Sequence, residues 1–196
     1  MGVAHDGLGL RDRKKIRTRD TIRREAMRLI DANGYTNTTI EQIAEASDIS
    51  PSTFFRYFPT KESVLMANDL DRVTIDALAQ QPADLSSVQA FRRALEITMA
   101  TLSEADWAFE RTRLRVVLAV PELKAAQFDV YQRTITELVG VECRRMGRPA
   151  DDFEVRVFIG ALGGALMAVL DRPRDFVGRM YRALEYIEAG MPVRTP

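Results

Sequence analysis

The sequence predicts an all-α protein of about nine helices. Apolar residues recur at three- and four-residue spacing along most of the chain, and no stretch shows the apolar–polar alternation of a strand. Helix start and stop signals punctuate these periodic segments at Ser50-Pro51, Thr60-Lys61, Ser103, Pro121 and Gly147. They divide the chain into a small module over residues 11–66 and a larger helical body over 67–190, with tails at 1–10 and 191–196.

Residues 1–10, with Gly2, Gly7 and Gly9, are expected to be disordered. A first helix is expected from Arg19 to Ala32, burying Ile22, Ala26, Leu29 and Ile30, with Gly34 as its C-terminal cap. Thr38 or Thr39 then caps a short helix whose Ile40, Ile43 and Ala44 share one face. Ser47-Asp48 breaks it, since Asp tolerates left-handed backbone angles better than most residues. Ser50 is the next N-cap, and Pro51 occupies the first helical position, where a missing N–H costs nothing. Phe54 and Phe58, four apart, face the core and leave Ser52, Thr53, Phe55, Arg56 and Tyr57 to point elsewhere. Two very short helices joined by a tight turn make a helix-turn-helix, whose second helix suits the DNA major groove.

Beyond Phe58-Pro59, Thr60 caps one helix expected from Lys61 to Gln80. The loop Pro82–Ser86 leads to a helix from Ser87 to about Leu102 with Phe91, Leu95 and Met99 on one face. Ser103 caps a helix whose Trp107, Phe109, Leu114, Val116 and Val117 fall on several faces, as in a central helix. Pro121 restarts the chain into a long helix to Met146. Two more helices follow, Asp151–Leu170 and Arg174–Glu188. The first carries Gly160, Gly163, Gly164 and Ala165, small residues that permit close helix packing.

Composition sets further bounds. Lys plus Arg and Asp plus Glu both number 28, so net charge is zero, yet Arg11, Arg13, Lys14, Lys15, Arg17, Arg19, Arg23, Arg24 and Arg28 crowd the front. A basic end on a neutral molecule suits a protein that meets phosphate at that end only. One cysteine, Cys143, rules out an internal disulfide and fits a reducing, cytoplasmic setting. No secretory leader is expected, and the apolar run 157–170, about fourteen residues, is too short to span a bilayer. One His, one Cys, no phosphate loop and no nucleophile elbow leave no catalytic residues, no metal site and no cofactor to propose.

The run Arg19, Ile22, Ala26, Leu29-Ile30, Gly34-Tyr35, Thr38-Thr39-Ile40, Ile43-Ala44, Ser50, Thr53-Phe54-Phe55, Tyr57-Phe58, Lys61-Glu62 and Leu65 resembles the TetR family of bacterial regulators in order and spacing. Two departures stand out: Asp48 replaces the usual turn glycine, and Phe55 stands where tyrosine is common. The resemblance implies a homodimeric regulator that reads a near-palindromic operator in double-stranded DNA and answers to a small-molecule inducer. Repression rather than activation is what the family implies. The C-terminal body is also similar to that of mycofactocin-system regulators, which implies an acyl-thioester or other lipophilic ligand.

From these readings the candidate DNA contacts are Arg13, Lys14, Lys15, Arg17, Thr39, Ser50, Ser52, Thr53, Phe55, Arg56, Tyr57 and Lys61. Thr39, Tyr57 and Lys61 are assigned to phosphates, and Ser52, Thr53 and Arg56 to base edges. The basic residues before the first helix are expected to be loose until they follow DNA. Phe91, Met99, Trp107, Arg111, Phe128 and Tyr131 are the candidate pocket, although an aromatic and Met set is by default core. The run Arg111, Arg113, Arg115 reads first as solvated or ion-paired arginines, because the three cannot all face one side of a helix. Phe158, Leu162, Gly163, Leu166, Met180 and Leu184 are the candidate dimer interface, with no membrane partner. The competing reading is a helical interaction or ligand-sequestering protein with a degenerate DNA reader. Asp48 and Phe55 support it; the intact Thr39, Ser52, Thr53, Tyr57 and Lys61 speak against it.

Overall fold

The computed structural model describes residues 9–66, 69–170 and 176–192. They form ten helices: α1 (Leu10–Asn33), α2 (Ile40–Ala46), α3 (Pro51–Tyr57), α4 (Lys61–Met66), α5 (Asp69–Ala79), α6 (Ser87–Ala100), α7 (Glu104–Ala119), α8 (Pro121–Met146), α9 (Phe153–Leu170) and α10 (Phe176–Glu188). No strand occurs among the described residues. Two compact units result. The first takes α1–α4, α7 and the start of α8; the second takes α5, α6, the rest of α8, α9 and α10. Residues 101–128, which the sequence groups with the helical body, thus cluster with the N-terminal module.

The one helix expected over 61–80 is described in two pieces, α4 and α5, and its course through residues 67 and 68 lies outside the described residues. Two sequence expectations need correction. The first helix begins at Leu10, not Arg19, so the basic segment is helical rather than loose. Arg and Lys are good helix formers, Asp12 complements the dipole in the first turn, and no Gly or Pro interrupts residues 10–33. Thr18 and Thr21 turn their hydroxyls inward, each donating at 3.0 Å to the carbonyls of Lys14 and Arg17. Finally, α7 is not apolar on its inner face, which carries Glu110, Arg113 and Val117. Residues 1–8, 171–175 and 193–196, which include parts of both expected tails and Arg174, lie outside the described residues.

The core of the first unit gathers Ile22, Ala26, Ile43, Ala44, Phe54, Phe58 and Val64. Met27, Ile30, Leu65, Val117 and Leu123 form a second cluster, joining α1 and α4 to α7 and α8. The second unit closes around Leu78, Phe91, Leu95, Val139, Val155, Ile159 and Leu184. Its loop 80–86 is stapled by Arg145. That guanidinium donates Nε and Nη2 to the buried Glu142 carboxylate at 2.8 and 2.6 Å, and Nη1 to the carbonyls of Pro82 and Leu85 at 2.7 and 3.1 Å. The bidentate carboxylate holds the Arg145 pKa above its usual value.

Gly163 lets α9 approach α8 within this unit. A Cβ there would stand 2.2 Å from Tyr131 Oη and 2.8 Å from Ile135 Cδ1, whereas nothing lies near a Cβ at Gly160 or Gly164. Gly163→Ala should therefore cost about 1–3 kcal/mol despite alanine's better helix propensity. The urea midpoint checks this; an unchanged midpoint means that Tyr131 swings aside freely.

Candidate nucleic-acid interface

The geometry of α3 follows from its local chemistry. Ser50 accepts the Thr53 N–H at 3.2 Å, and Pro51 fixes the first turn. Asp48, at φ 54°, turns the chain between α2 and α3 in the left-handed region, where a glycine is the usual choice. Thr39 caps α2 by a capping box, accepting the Gln42 N–H at 3.2 Å while the Gln42 side chain takes the Thr39 N–H at 2.9 Å. Thr38 is instead buried and donates its hydroxyl to Gly34 O at 2.9 Å. Gly34, at φ 83°, closes α1 as expected.

A seven-residue helix is marginal alone, so α3 depends on Phe54 and Phe58, both fully buried against α1 and α2. Arg19 reaches over the Phe58 ring, its guanidinium carbon 4.9 Å from the centroid. Anchored this way, α3 turns Pro51, Ser52, Phe55 and Arg56 outward, while Thr53 and Tyr57 are half-buried. The hydroxyls of Ser50, Ser52 and Thr53 form a cluster, with Ser50 Oγ 2.9 Å from Ser52 Oγ and 3.0 Å from Thr53 Oγ1. Arg56 is exposed, its guanidinium carbon over the Tyr57 ring at 5.6 Å from the centroid. In the helical extension of α1, Arg13, Lys14, Lys15 and Arg17 are all exposed.

Lys61 departs from expectation. Its ammonium donates to the carbonyls of Tyr35 and Thr38 at 2.7 and 2.9 Å and lies 4.0 Å from the Tyr35 ring centroid. It ties the α1–α2 turn to the start of α4 instead of projecting toward a phosphate. Thr60 caps α4, accepting the Ser63 N–H at 3.2 Å. Tyr35 Oη donates to Glu62 beside it, which lowers the Glu62 pKa; burial and the carboxylate raise that of Tyr35.

Sequence reasoning missed the polar centre of this unit. Glu110 of α7 accepts Arg113 Nε at 2.7 Å and Arg23 Nη2 at 3.5 Å, and Arg113 Nη1 donates to Leu65 O at 2.9 Å. All three side chains are buried. The one signal in the sequence is the i, i+3, i+7 spacing that puts Glu110 and Arg113 on the face of Val117. Arg111 and Arg115 pair with Glu104 and Asp31 at 3.3 and 3.5 Å, so the arginine run is the ion-paired set that its spacing suggests.

The candidate pocket residues do not share a unit. Phe91, Met99 and Tyr131 belong to the second; Trp107, Arg111 and Phe128 to the first. Phe91 is buried in the core, its ring edge-on to Phe158 at 5.8 Å, while Phe128 is exposed. Burial raises the Tyr131 pKa.

The candidate dimer residues are largely core. Leu184 is 4% exposed, Gly163 is buried, and Phe158, Leu162 and Met180 pack on the core of their own chain. The Leu166 side chain lies outside the described residues. The outward face of α9 instead carries Phe153, Val157, Gly160, Gly164, Met167 and Ala168, with Phe153 77% and Val157 52% exposed. Those positions fall within one helical stripe and include no charge. Among the described residues no group of His, Cys, Asp and Glu is placed to hold a metal ion, and no helix is long and apolar enough to cross a membrane.

Residues 22–67 match the family described as bacterial regulatory proteins, tetR family, and residues 85–192 match the MftR C-terminal domain. The chain is 34% identical to the HTH-type transcriptional regulator TcmR of Streptomyces glaucescens, across 85% of this chain and 77% of that one. Among solved structures it is similar to Thermus thermophilus FadR, a TetR family transcriptional repressor in complex with lauroyl-CoA, with TM-score 0.54, 25% identity and 91% and 97% of the two chains covered. It also shares its fold with SmeT, the repressor of the Stenotrophomonas maltophilia multidrug efflux pump SmeDEF, at TM-score 0.59, 18% identity and coverage of 91% and 97%. With its helix-turn-helix and its helical C-terminal body both matched, the chain belongs to the TetR family of transcriptional regulators.

Proposed function

We propose that this protein is a homodimeric repressor that reads a near-palindromic operator with α3 of each protomer. In this reading a lipophilic ligand, an acyl thioester or a molecule of similar character, releases it from DNA. The observation that carries the DNA half is the exposed face of α3, where Ser52, Phe55 and Arg56 stand outward on a helix locked by Phe54 and Phe58. The MftR-type C-terminal match and the lauroyl-CoA bound by the FadR relative support the ligand class. A ligand acts by differential affinity for two arrangements of the reading modules. The outward stripe of α9 is the surface proposed for dimerisation, and the setting is the bacterial cytoplasm, where the DNA lies.

The roles divide by chemistry. Arg56 is assigned to a guanine, which a guanidinium contacts through two parallel hydrogen bonds. Ser52 and Thr53 approach neighbouring base edges, and Thr39, Tyr57 and the exposed basic residues of α1 take phosphates. Lys61 is assigned a positioning role. On duplexes selected from a random pool, Arg56→Ala should lower discrimination at one base pair per half-site by about 1–3 kcal/mol. Replacing Arg13, Lys14, Lys15 and Arg17 by glutamine should weaken all sequences alike and flatten the salt dependence by roughly 0.9 for each phosphate no longer neutralised. Fluorescence anisotropy at several salt concentrations measures both. Unchanged relative affinities in Arg56→Ala would remove the base-reading assignment, and lauroyl-CoA that fails to displace the duplex would count against the thioester class.

A further inference from the structure

Phe55 is a large apolar side chain, 52% exposed, in the middle of the helix that faces DNA. Among the described residues up to Met66, Leu10 is the other exposed large hydrophobic, and it begins α1. Phe55 does not sway freely: its ring meets the buried Phe54 edge-on, with centroids 5.7 Å apart and planes at 90°. Pro51, one turn earlier, is exposed on the same side, so the two form a small apolar step. Ser52 and Arg56 flank it. A phenyl ring has no hydroxyl to give a phosphate, and about half of this one stands in solvent in the free protein. In the major groove the one apolar group a base pair presents is the C5 methyl of thymine.

We propose that Phe55, backed by Pro51, reads the C5 methyl of one thymine in each operator half-site. The proposal rests on α3 being the DNA reader and adds a specificity determinant to it. It also fixes a distance. Consecutive Cα atoms are about 3.8 Å apart and base steps about 3.4 Å, so this thymine should fall within about two base pairs of the guanine assigned to Arg56.

The test uses the full-length protein and duplexes that it selects from a random pool. Each thymine is replaced in turn by deoxyuridine, which deletes only the methyl, and binding is followed by fluorescence anisotropy. One thymine per half-site should show a loss of about fourfold on substitution, the value of one buried methyl-sized group. Phe55→Ala should bind the thymine and deoxyuridine duplexes equally, and Phe55→Tyr, which keeps the ring, should still discriminate. Arg56→Ala should retain the methyl effect while losing the guanine preference. Insensitivity of the wild type at every thymine overturns the proposal without any variant, as does a methyl effect that persists in Phe55→Ala. Failure to select any duplex would overturn the DNA-reading assignment itself, and this inference with it.

Discussion

Glu110→Ala should lower the stability of the full-length protein by about 3–5 kcal/mol, among the largest effects of any single side-chain truncation. The carboxylate is buried between Arg113 Nε at 2.7 Å and Arg23 Nη2 at 3.5 Å, with side-chain exposures of 10%, 3% and 7%. Its removal strands positive charge in the joint where α1, α4 and α7 meet. The pair itself need not be strongly stabilising; the cost comes from breaking it. Accordingly, Glu110→Leu combined with Arg113→Met should recover a large share of the loss, because both charges leave together. An exposed pair supplies the contrast: Arg72 and Asp76 stand 3.1 Å apart with side chains 74% and 53% exposed, and Asp76→Ala should cost under about 1 kcal/mol. Urea unfolding followed by circular dichroism distinguishes these values. A Glu110→Ala loss near that of Asp76→Ala would mean that water reaches the joint.

Why the helix-turn-helix is legible in the sequence and this joint is not is a matter of sequence distance. Ser50, Pro51, Asp48 and Gly34 act on backbone within a few residues, so capping, positive φ and the i, i+4 pair Phe54–Phe58 can be read in place. Glu110 meets Arg23 across 87 positions, and Arg113 meets the Leu65 carbonyl across 48. From sequence alone an i, i+3 Glu–Arg pair looks like solvated charge. Lys61 misleads for a related reason. Its place at a helix start suggests phosphate, but its carbonyl acceptors at Tyr35 and Thr38 lie more than twenty residues away. The basic stretch 11–17 reads as an arm by its charge, although its helix propensity allows α1 to extend through it. In α9 the difficulty is periodicity: a helix apolar on all sides names no preferred face, and its glycines serve two sides. Gly163 admits the Tyr131 ring, whereas Gly160 and Gly164 open outward.

That outward side is where the other large effect is expected. Val157→Arg should convert the protein to folded monomers and lower operator affinity at least about 100-fold, the avidity that vanishes when two readers are no longer joined. Phe153, Val157, Gly160, Gly164, Met167 and Ala168 leave an exposed, charge-free stripe on α9, flanked by Glu154 and Arg156. An apolar stripe of this kind on a protein whose family dimerises is the surface proposed for a second copy. Two glycines on it would allow a close crossing of α9 with a second copy, and α10, which packs against α9, would complete the four-helix arrangement proposed. In the proposed dimer a two-fold axis near the stripe would bring position 157 close to itself, so an arginine there would meet a like charge as well as apolar surface. Leu184→Arg is the informative comparison. Because Leu184 is 4% exposed within its own chain, that change should unfold the second unit instead of separating intact protomers. Sedimentation and circular dichroism separate the two outcomes. If Val157→Arg still sediments as a dimer and binds the operator as the wild type does, the two copies meet on another surface and the α9 stripe must be abandoned as the interface.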